Sequence, residues 1–407
     1  MNTMHAAAHA RAESASSWRQ LLLILGGGIV SAFQVGKVPI ALESMQNDLG
    51  MDLAAGAWLI SAFAVVGALL GAPVGRLAQG AGARRLFLAG LGAQAIGSLI
   101  GALSGQAGIL LLSRIIEGLG FLGLIVAAPT LLARIDEPRL RAYAMSAWAT
   151  FMPVGMALIT LGAPLLPGMG WRGLWLANAV LLAAYMGLAA VALRDAPAVQ
   201  AAPSSLRRAI ADALKDVRAW LLSGLFAGYA AAYFVVFGFL PVYVAQKWQA
   251  GVDESGVFIA FAVLLGAAGN MLGGAWLARG ASPTRVILAG LAVMALTSIA
   301  VYANHASLFA AYAACTVFSC AGGMVPAALM TAAATHARRQ ASAGMTMGLV
   351  MQGNNAGILI GPAVAGALAA HLGWSALWQL NLGIIALCVV LAWGLIRLGN
   401  NLIRGAP

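Results

Sequence analysis

Apolar residues run through this chain in long, nearly unbroken stretches, separated by short clusters of glycine, proline and charge. Twelve such stretches can be cut, at 21–41, 54–75, 86–104, 108–132, 142–166, 171–193, 218–244, 255–277, 285–303, 307–331, 343–369 and 374–398. Each has about the length a helix needs to cross a hydrocarbon layer. None alternates with the short period-two pattern of a membrane barrel. The pattern therefore predicts an all-α integral membrane protein of twelve transmembrane helices.

Composition agrees. Of 407 residues, 62% are hydrophobic and only 9% are charged, with a mean hydropathy of +0.90. Soluble domains carry about 25% charged residues, so the water-soluble enzyme classes fall away. Cys315, Cys320 and Cys388 lie in apolar runs without disulfide or metal spacing. The five histidines are scattered at ends and connections. No metal, no cofactor and no enzymatic constellation is expected.

The net charge of +11 invites a nucleic-acid reading until the charges are placed. With the N-terminus in the cytoplasm, 19 of the 23 lysines and arginines fall in cytoplasmic connections or tails. Arg172 and Lys247 fall outside, and Lys37 and Arg114 fall inside spans. Basic residues gather on the inner side of membranes. A multi-pass protein of the cell membrane with both termini cytoplasmic follows, and no nucleic-acid partner is needed. Residues 1–17, rich in Ala, Ser and His, are expected to be a disordered tail. Residues 18–194 form a first six-helix bundle, 195–217 a basic, amphipathic connection resting on anionic lipid, and 218–407 a second bundle.

The halves echo each other. Gly170-Trp171, Trp175 and Asn178 recur as Gly373-Trp374, Trp378 and Asn381, the Trp and Asn positions at an offset of 203 residues. Such a repeat of half the chain marks a transporter of two like-oriented bundles. Glycines recur at four-residue spacing, as in Gly67-Gly71-Gly75, Gly97-Gly101-Gly105 and Gly357-Gly361, which predicts close helix seams.

The chemistry-bearing residues are few. Arg114 and Glu117 are the only charges in the fourth apolar run and share a helix face. An Arg at the centre of a spanning helix costs about 2.5–3.5 kcal/mol to insert, so such a pair is expected to do work. Gln34 and Lys37 share a face of span one. Tyr229, Tyr233 and Phe237 form an aromatic stripe on span seven, and span eleven carries Gln352, Asn354 and Asn355. An aromatic stripe is more often packing than a ligand box, and buried amides more often bond neighbouring helices than substrate.

Gly75-Arg76-Leu77-Ala78-Gln79-Gly80-Ala81-Gly82-Ala83-Arg84-Arg85 resembles the Gly-x-Leu-x-Asp-Arg-x-Gly-Arg-Arg loop of the major facilitator superfamily, and Arg114-Ile115-Ile116-Glu117-Gly118-Leu119-Gly120 its fourth-helix motif. The six-plus-six topology is that family's as well. Gln79 stands where the family has Asp, Gly80 where it often has Arg, and Glu117 where it has Gln. The segments around Lys37-Val38-Pro39 and Trp148–Met156 resemble the cyanate-permease-like branch, whereas the drug antiporters' fifth-helix signature is not reproduced. The resemblance implies two bundles related by a pseudo-two-fold axis, and a secondary transporter working by alternating access. It also implies a cavity lined by helices one, four, seven and ten, and a gating loop containing Gly75, Gly82, Arg84 and Arg85.

On this reading Lys37 and Arg114, with Gln34, Tyr229, Tyr233, Gln352 and Asn355, bind a small anionic solute. Glu117, the sole embedded acid, couples protons in symport. A proton-coupled exporter of drugs or metabolites is the alternative, and a transporter-like sensor that moves nothing the more distant one. Membrane lipids are the other partners, and a monomer is expected.

Overall fold

The computed structural model describes residues 2–71, 82–133, 135, 137–193, 215–302, 307–337 and 343–404. Among these residues the chain is helical, without strands. Lipid offers no hydrogen-bond partners, so a spanning backbone must pair within itself, and long apolar runs fold as helices.

The first half contains α1 (Asn2–Leu49), α2 (Leu53–Ser61), α3 (Ala83–Ala102), α4 (Ala107–Leu132), α5 (Pro138–Trp148), α6 (Phe151–Leu161) and α7 (Leu166–Ala192). The second half contains α8 (Val217–Phe237), α9 (Leu240–Trp248), α10 (Val252–Ala278), α11 (Pro283–Tyr302), α12 (Leu308–Ala337), α13 (Ala343–Leu372) and α14 (Ala376–Arg404). Among the described residues, eleven helical stretches are long and apolar enough to span a membrane. One of them, Phe151–Ala192, is 42 residues long and turns at Gly170, where the backbone is not helical. Divided there, it supplies two spans, and the count reaches twelve.

Two expectations need correction. The polar tail expected to be disordered is helical from Asn2. Its Ala-rich composition favours helix, and growing from a formed span needs no new nucleus. The fifth span is broken into α5 and α6 at Ala149–Thr150 rather than continuous. Residues 195–214 of the connection expected at 195–217, and Gly75 of the loop expected to gate, lie outside the described residues.

The second span has a break of its own. Asp52 caps α2, its Oδ1 accepting from the Ala55 N–H at 2.7 Å. The winding then tightens into a 3₁₀ turn over Ala62–Ala64 before the span continues to Gly71.

The half-chain repeat is visible in the structure. Gly170 has φ 65° and Gly373 φ 79°, a left-handed backbone that glycine adopts without strain. Each turn sets a tryptophan against the end of its bundle's first span. Trp171 Nε1 donates to Asp48 Oδ2 at 3.0 Å, and Trp374 Nε1 donates to Gln246 Oε1 at 3.0 Å. Arg172 also pairs with Asp48, and its Nη2 donates to the Ser104 carbonyl. We call this the distal end, opposite the end where span one begins and span twelve finishes.

Small residues set the packing within each half. Gly90 abuts Gly120 between α3 and α4, and Gly353, Gly357 and Gly361 of α13 lie on Ser223, Ala227 and Ala231 of α8. The halves meet chiefly along two seams. The second span packs on α13: Ala57 lies against Gly366 distally, Gly67 against Asn355 and Gly71 against Gln352 proximally. The other seam joins α6 to α10, where Asn270 Nδ2 donates to the Ala149 carbonyl at 3.3 Å.

Candidate functional site

Two helices of the first half place three charges at one point. Lys37 comes from α1, and Arg114 and Glu117 from successive turns of one face of α4. Lys37 Nζ donates to Glu117 Oε1 at 2.7 Å, while Arg114 Nη1 pairs with Glu117 Oε2. The carboxylate is thus shared, one oxygen to each cation. Relative exposures are 0% for Lys37, 1% for Arg114 and 0% for Glu117, so the cluster is sealed from the surface.

The rest of the shell is polar and specific. Ser98 of α3 accepts from Lys37 Nζ at 2.7 Å. Its hydroxyl lies 2.8 Å from Glu117 Oε1 and 3.0 Å from Gln34 Oε1, with one proton for the two acceptors. The ring of Trp175 from α7 lies beneath Lys37, 4.3 Å from Nζ, a favourable cation–π distance. Arg114 stacks over Phe63 at 4.7 Å, and its Nε donates to the Leu59 carbonyl at 3.0 Å. Gly97 allows α3 to approach, since a Cβ there would press on the Glu117 side chain.

Burying ions without partners is expensive, and a buried pair repays its desolvation only when every group is satisfied. Here each ion has at least two partners. The sum is still unequal, with two cations against one acid.

Of the residues expected to line one site, the structure brings together four: Gln34, Lys37, Arg114 and Glu117. Lys37 points into the first bundle, toward α3 and α7. Gln34 Nε2 is buried without a hydrogen-bond partner.

Tyr229 and Tyr233 belong to a separate aromatic group in the second half. Tyr233 stacks on Phe237 with centroids 4.7 Å apart and neighbours Phe318 at 6.2 Å. Its hydroxyl lies 3.3 Å from Ser319 Oγ of α12. Tyr229 follows one turn away, 6.1 Å from Tyr233. None of these residues hydrogen-bonds to the charge cluster among the described residues.

Gln352 and Asn355 sit in the seam between the halves. Gln352 Nε2 donates to the Ala68 carbonyl at 2.6 Å and to that of Leu69 at 3.1 Å. Asn355 Nδ2 returns to the Met351 carbonyl of its own helix at 2.9 Å. In the loop expected to gate, Gly82 has φ 85° and precedes α3. Arg84 donates from Nε to the Leu193 carbonyl at 2.7 Å and from Nη2 to that of Ala190, closing the end of α7. Arg85 is exposed.

Sequence reasoning missed Ser98, Phe63 and the Leu59 carbonyl. Ser98 had a signal, because Gln94 and Ser98 are a polar pair one turn apart in an apolar run. A backbone carbonyl has none.

A family model described as the Major Facilitator Superfamily matches residues 24–346 and 283–401. The puromycin resistance protein pur8 of Streptomyces alboniger is 32% identical over 173 residues, 42% of this chain and 34% of that protein. The methylenomycin A resistance protein of Bacillus subtilis (strain 168) is 28% identical over 179 residues, 42% of this chain and 38% of that protein. The probable multidrug resistance protein EmrY of Escherichia coli (strain K12) is 32% identical over 142 residues, 34% of this chain and 27% of that protein. The chain thus spans about a third of the length of the curated relatives it matches. Among solved structures, a bacterial homolog to the human lysosomal transporter Spinster, inward-facing and unoccupied, superposes with a TM-score of 0.75 at 17% identity. That match covers 93% of this chain and 95% of the other.

Proposed function

The chain belongs to the major facilitator superfamily, and from that premise we propose that it is a proton-coupled exporter of a small organic solute. Glu117 is its coupling carboxylate. The observation that carries this reading is the buried Glu117 carboxylate shared between Lys37 and Arg114.

The physical argument runs through charge. A proton on Glu117 would leave two cations side by side in a low-dielectric interior, where like charges repel strongly. The cluster must then rearrange. Lys37 is on α1, and Arg114 grips the second span, which packs on the second bundle. Protonation is therefore linked to how the bundles meet, as alternating access between two bundles requires.

Lys37 and Arg114 serve the carboxylate on this reading and are not substrate ligands. The solute meets the aromatic group of Tyr229, Tyr233, Phe237 and Phe318, whose faces suit an apolar or aromatic compound. Relatives named for resistance to methylenomycin A, puromycin and multiple drugs support a drug-like solute. Gln352 and Asn355 hold the seam, and Gly75, Gly82, Arg84 and Arg85 belong to the gate. The bias of basic residues supports cytoplasmic termini in the cell membrane. The working unit is a monomer.

A second reading, uptake of a small anion with protons, is supported by the excess positive charge of the cluster. Flux into proteoliposomes under an imposed pH gradient separates the two. Aromatic antibiotics driven by that gradient support export. Gradient-driven carboxylate flux, with the antibiotics inert, replaces export by anion symport.

A further inference from the structure

The helices of the α2–α13 seam are both interrupted midway along their contact. The second span tightens at Ala62–Ala64, between its distal contact at Ala57 and its proximal contacts at Gly67, Ala68 and Gly71. Helix α13 carries Pro362 between Asn355, in the proximal contact, and Gly366, in the distal one. A proline removes one helix bond, and a 3₁₀ turn frees carbonyls from the regular ladder. Each helix can bend at mid-membrane, so the two ends of the seam can part separately.

Arg114 sits on the break in the second span. Its Nε takes the Leu59 carbonyl, just before the turn, and its guanidinium covers the Phe63 ring within the turn. Behind the turn, Gly118 lies so close that a Cβ would overlap the Phe63 carbonyl oxygen. The other edge of the same guanidinium holds Glu117. A planar fork presents these donors on two edges in fixed geometry, whereas an ammonium gathers its donors on one compact nitrogen at the end of a flexible stem.

We propose that Arg114 is a positioning residue that ties the charge state of Glu117 to the break in the second span, and through it to the seam between the bundles. This rests on reading Glu117 as the coupling carboxylate. The charged groups facing Glu117 are Lys37 from α1 and Arg114 from its own helix. Helix α3 contributes Ser98, and α7 places the Trp175 ring against Lys37. When Glu117 is charged, it holds Arg114 between itself and Leu59. When Glu117 is neutral, Arg114 moves away from Lys37, and the Leu59 carbonyl loses its donor.

The test uses Ala68→Cys as a reporter, in the 407-residue chain with Cys315, Cys320 and Cys388 replaced by Ala. Ala68 lies at the proximal seam, where Gln352 binds its carbonyl. Labelling by a membrane-impermeant maleimide is timed in proteoliposomes on the acid and alkaline sides of neutrality. Each rate ratio is compared with that of the same thiol in the Arg114→Lys background, which removes the thiol's own titration. A severalfold pH dependence beyond that background, lost also in Glu117→Gln, is the expected result. If Glu117→Gln abolishes gradient-driven flux while Arg114→Lys labels with the unmodified pH dependence, the lever is wrong and the coupling carboxylate stands. If Glu117→Gln changes neither flux nor labelling, the coupling reading itself falls. Should Arg114→Lys not yield monodisperse protein, Phe63→Leu keeps every charge and loosens only the contact with the turn. It is expected to reduce the pH dependence severalfold, and an unchanged value overturns the proposal.

Discussion

Lys37 Nζ lies 2.7 Å from Glu117 Oε1, across 80 positions of sequence and between two different spanning helices. With Arg114 on the other carboxylate oxygen, the acid is the hub of the cluster. Removing different members must therefore have unequal consequences.

Glu117→Gln leaves two buried cations without a counter-charge. Breaking a buried pair by deleting one partner typically costs about 3–5 kcal/mol. Lys37→Met leaves Arg114 and Glu117 as a neutral pair. The thermal midpoint of detergent-solubilised Glu117→Gln should therefore fall well below that of Lys37→Met. Equal midpoints would mean that the cluster's charge balance does not control stability.

Gly118→Ala drives a methyl group into the Phe63 carbonyl oxygen, whereas a Cβ at Gly105 meets nothing within 4 Å. Overpacking typically costs about 1–3 kcal/mol, and a change on an open surface about 0.5 kcal/mol or less. Thermal scans should place Gly118→Ala well below the parent and Gly105→Ala close to it.

Arg84→Ala removes donors from two carbonyls at the end of α7. Bonds from a charged donor are worth about 1.5–3 kcal/mol when well formed, and Arg84 is partly exposed, so a loss of about 1 kcal/mol is expected. Arg85→Ala, at an exposed position, should leave the midpoint nearly unchanged.

Gln352→Leu removes the amide bonds that join the halves proximally. A net hydrogen bond is worth about 1 kcal/mol, roughly a fivefold shift in an equilibrium. Spin labels across the proximal ends of the second span and α13 should show the separated population rising by about that factor.

Much of this was legible before any coordinates. Spans follow from apolar length, and the two-bundle repeat from Trp171, Trp175 and Asn178 matching Trp374, Trp378 and Asn381. Gln34, Lys37, Arg114 and Glu117 stood out because polar groups are costly in apolar runs. The direction in which Lys37 points was not legible. It depends on how α1 is rotated against α3 and α7, which small-residue packing decides rather than Lys37 itself. The Leu59 carbonyl was invisible for a different reason, since every residue has one. The seam role of Gln352 needed the partner helix, 283 positions away at Leu69.

The most direct test of the coupling claim is solute flux in proteoliposomes under an imposed pH gradient, for the parent and for Glu117→Gln. The account predicts flux that follows the gradient in the parent and, in the variant, persists only as exchange down the solute's own gradient. Gradient-driven flux of equal size in Glu117→Gln would contradict it.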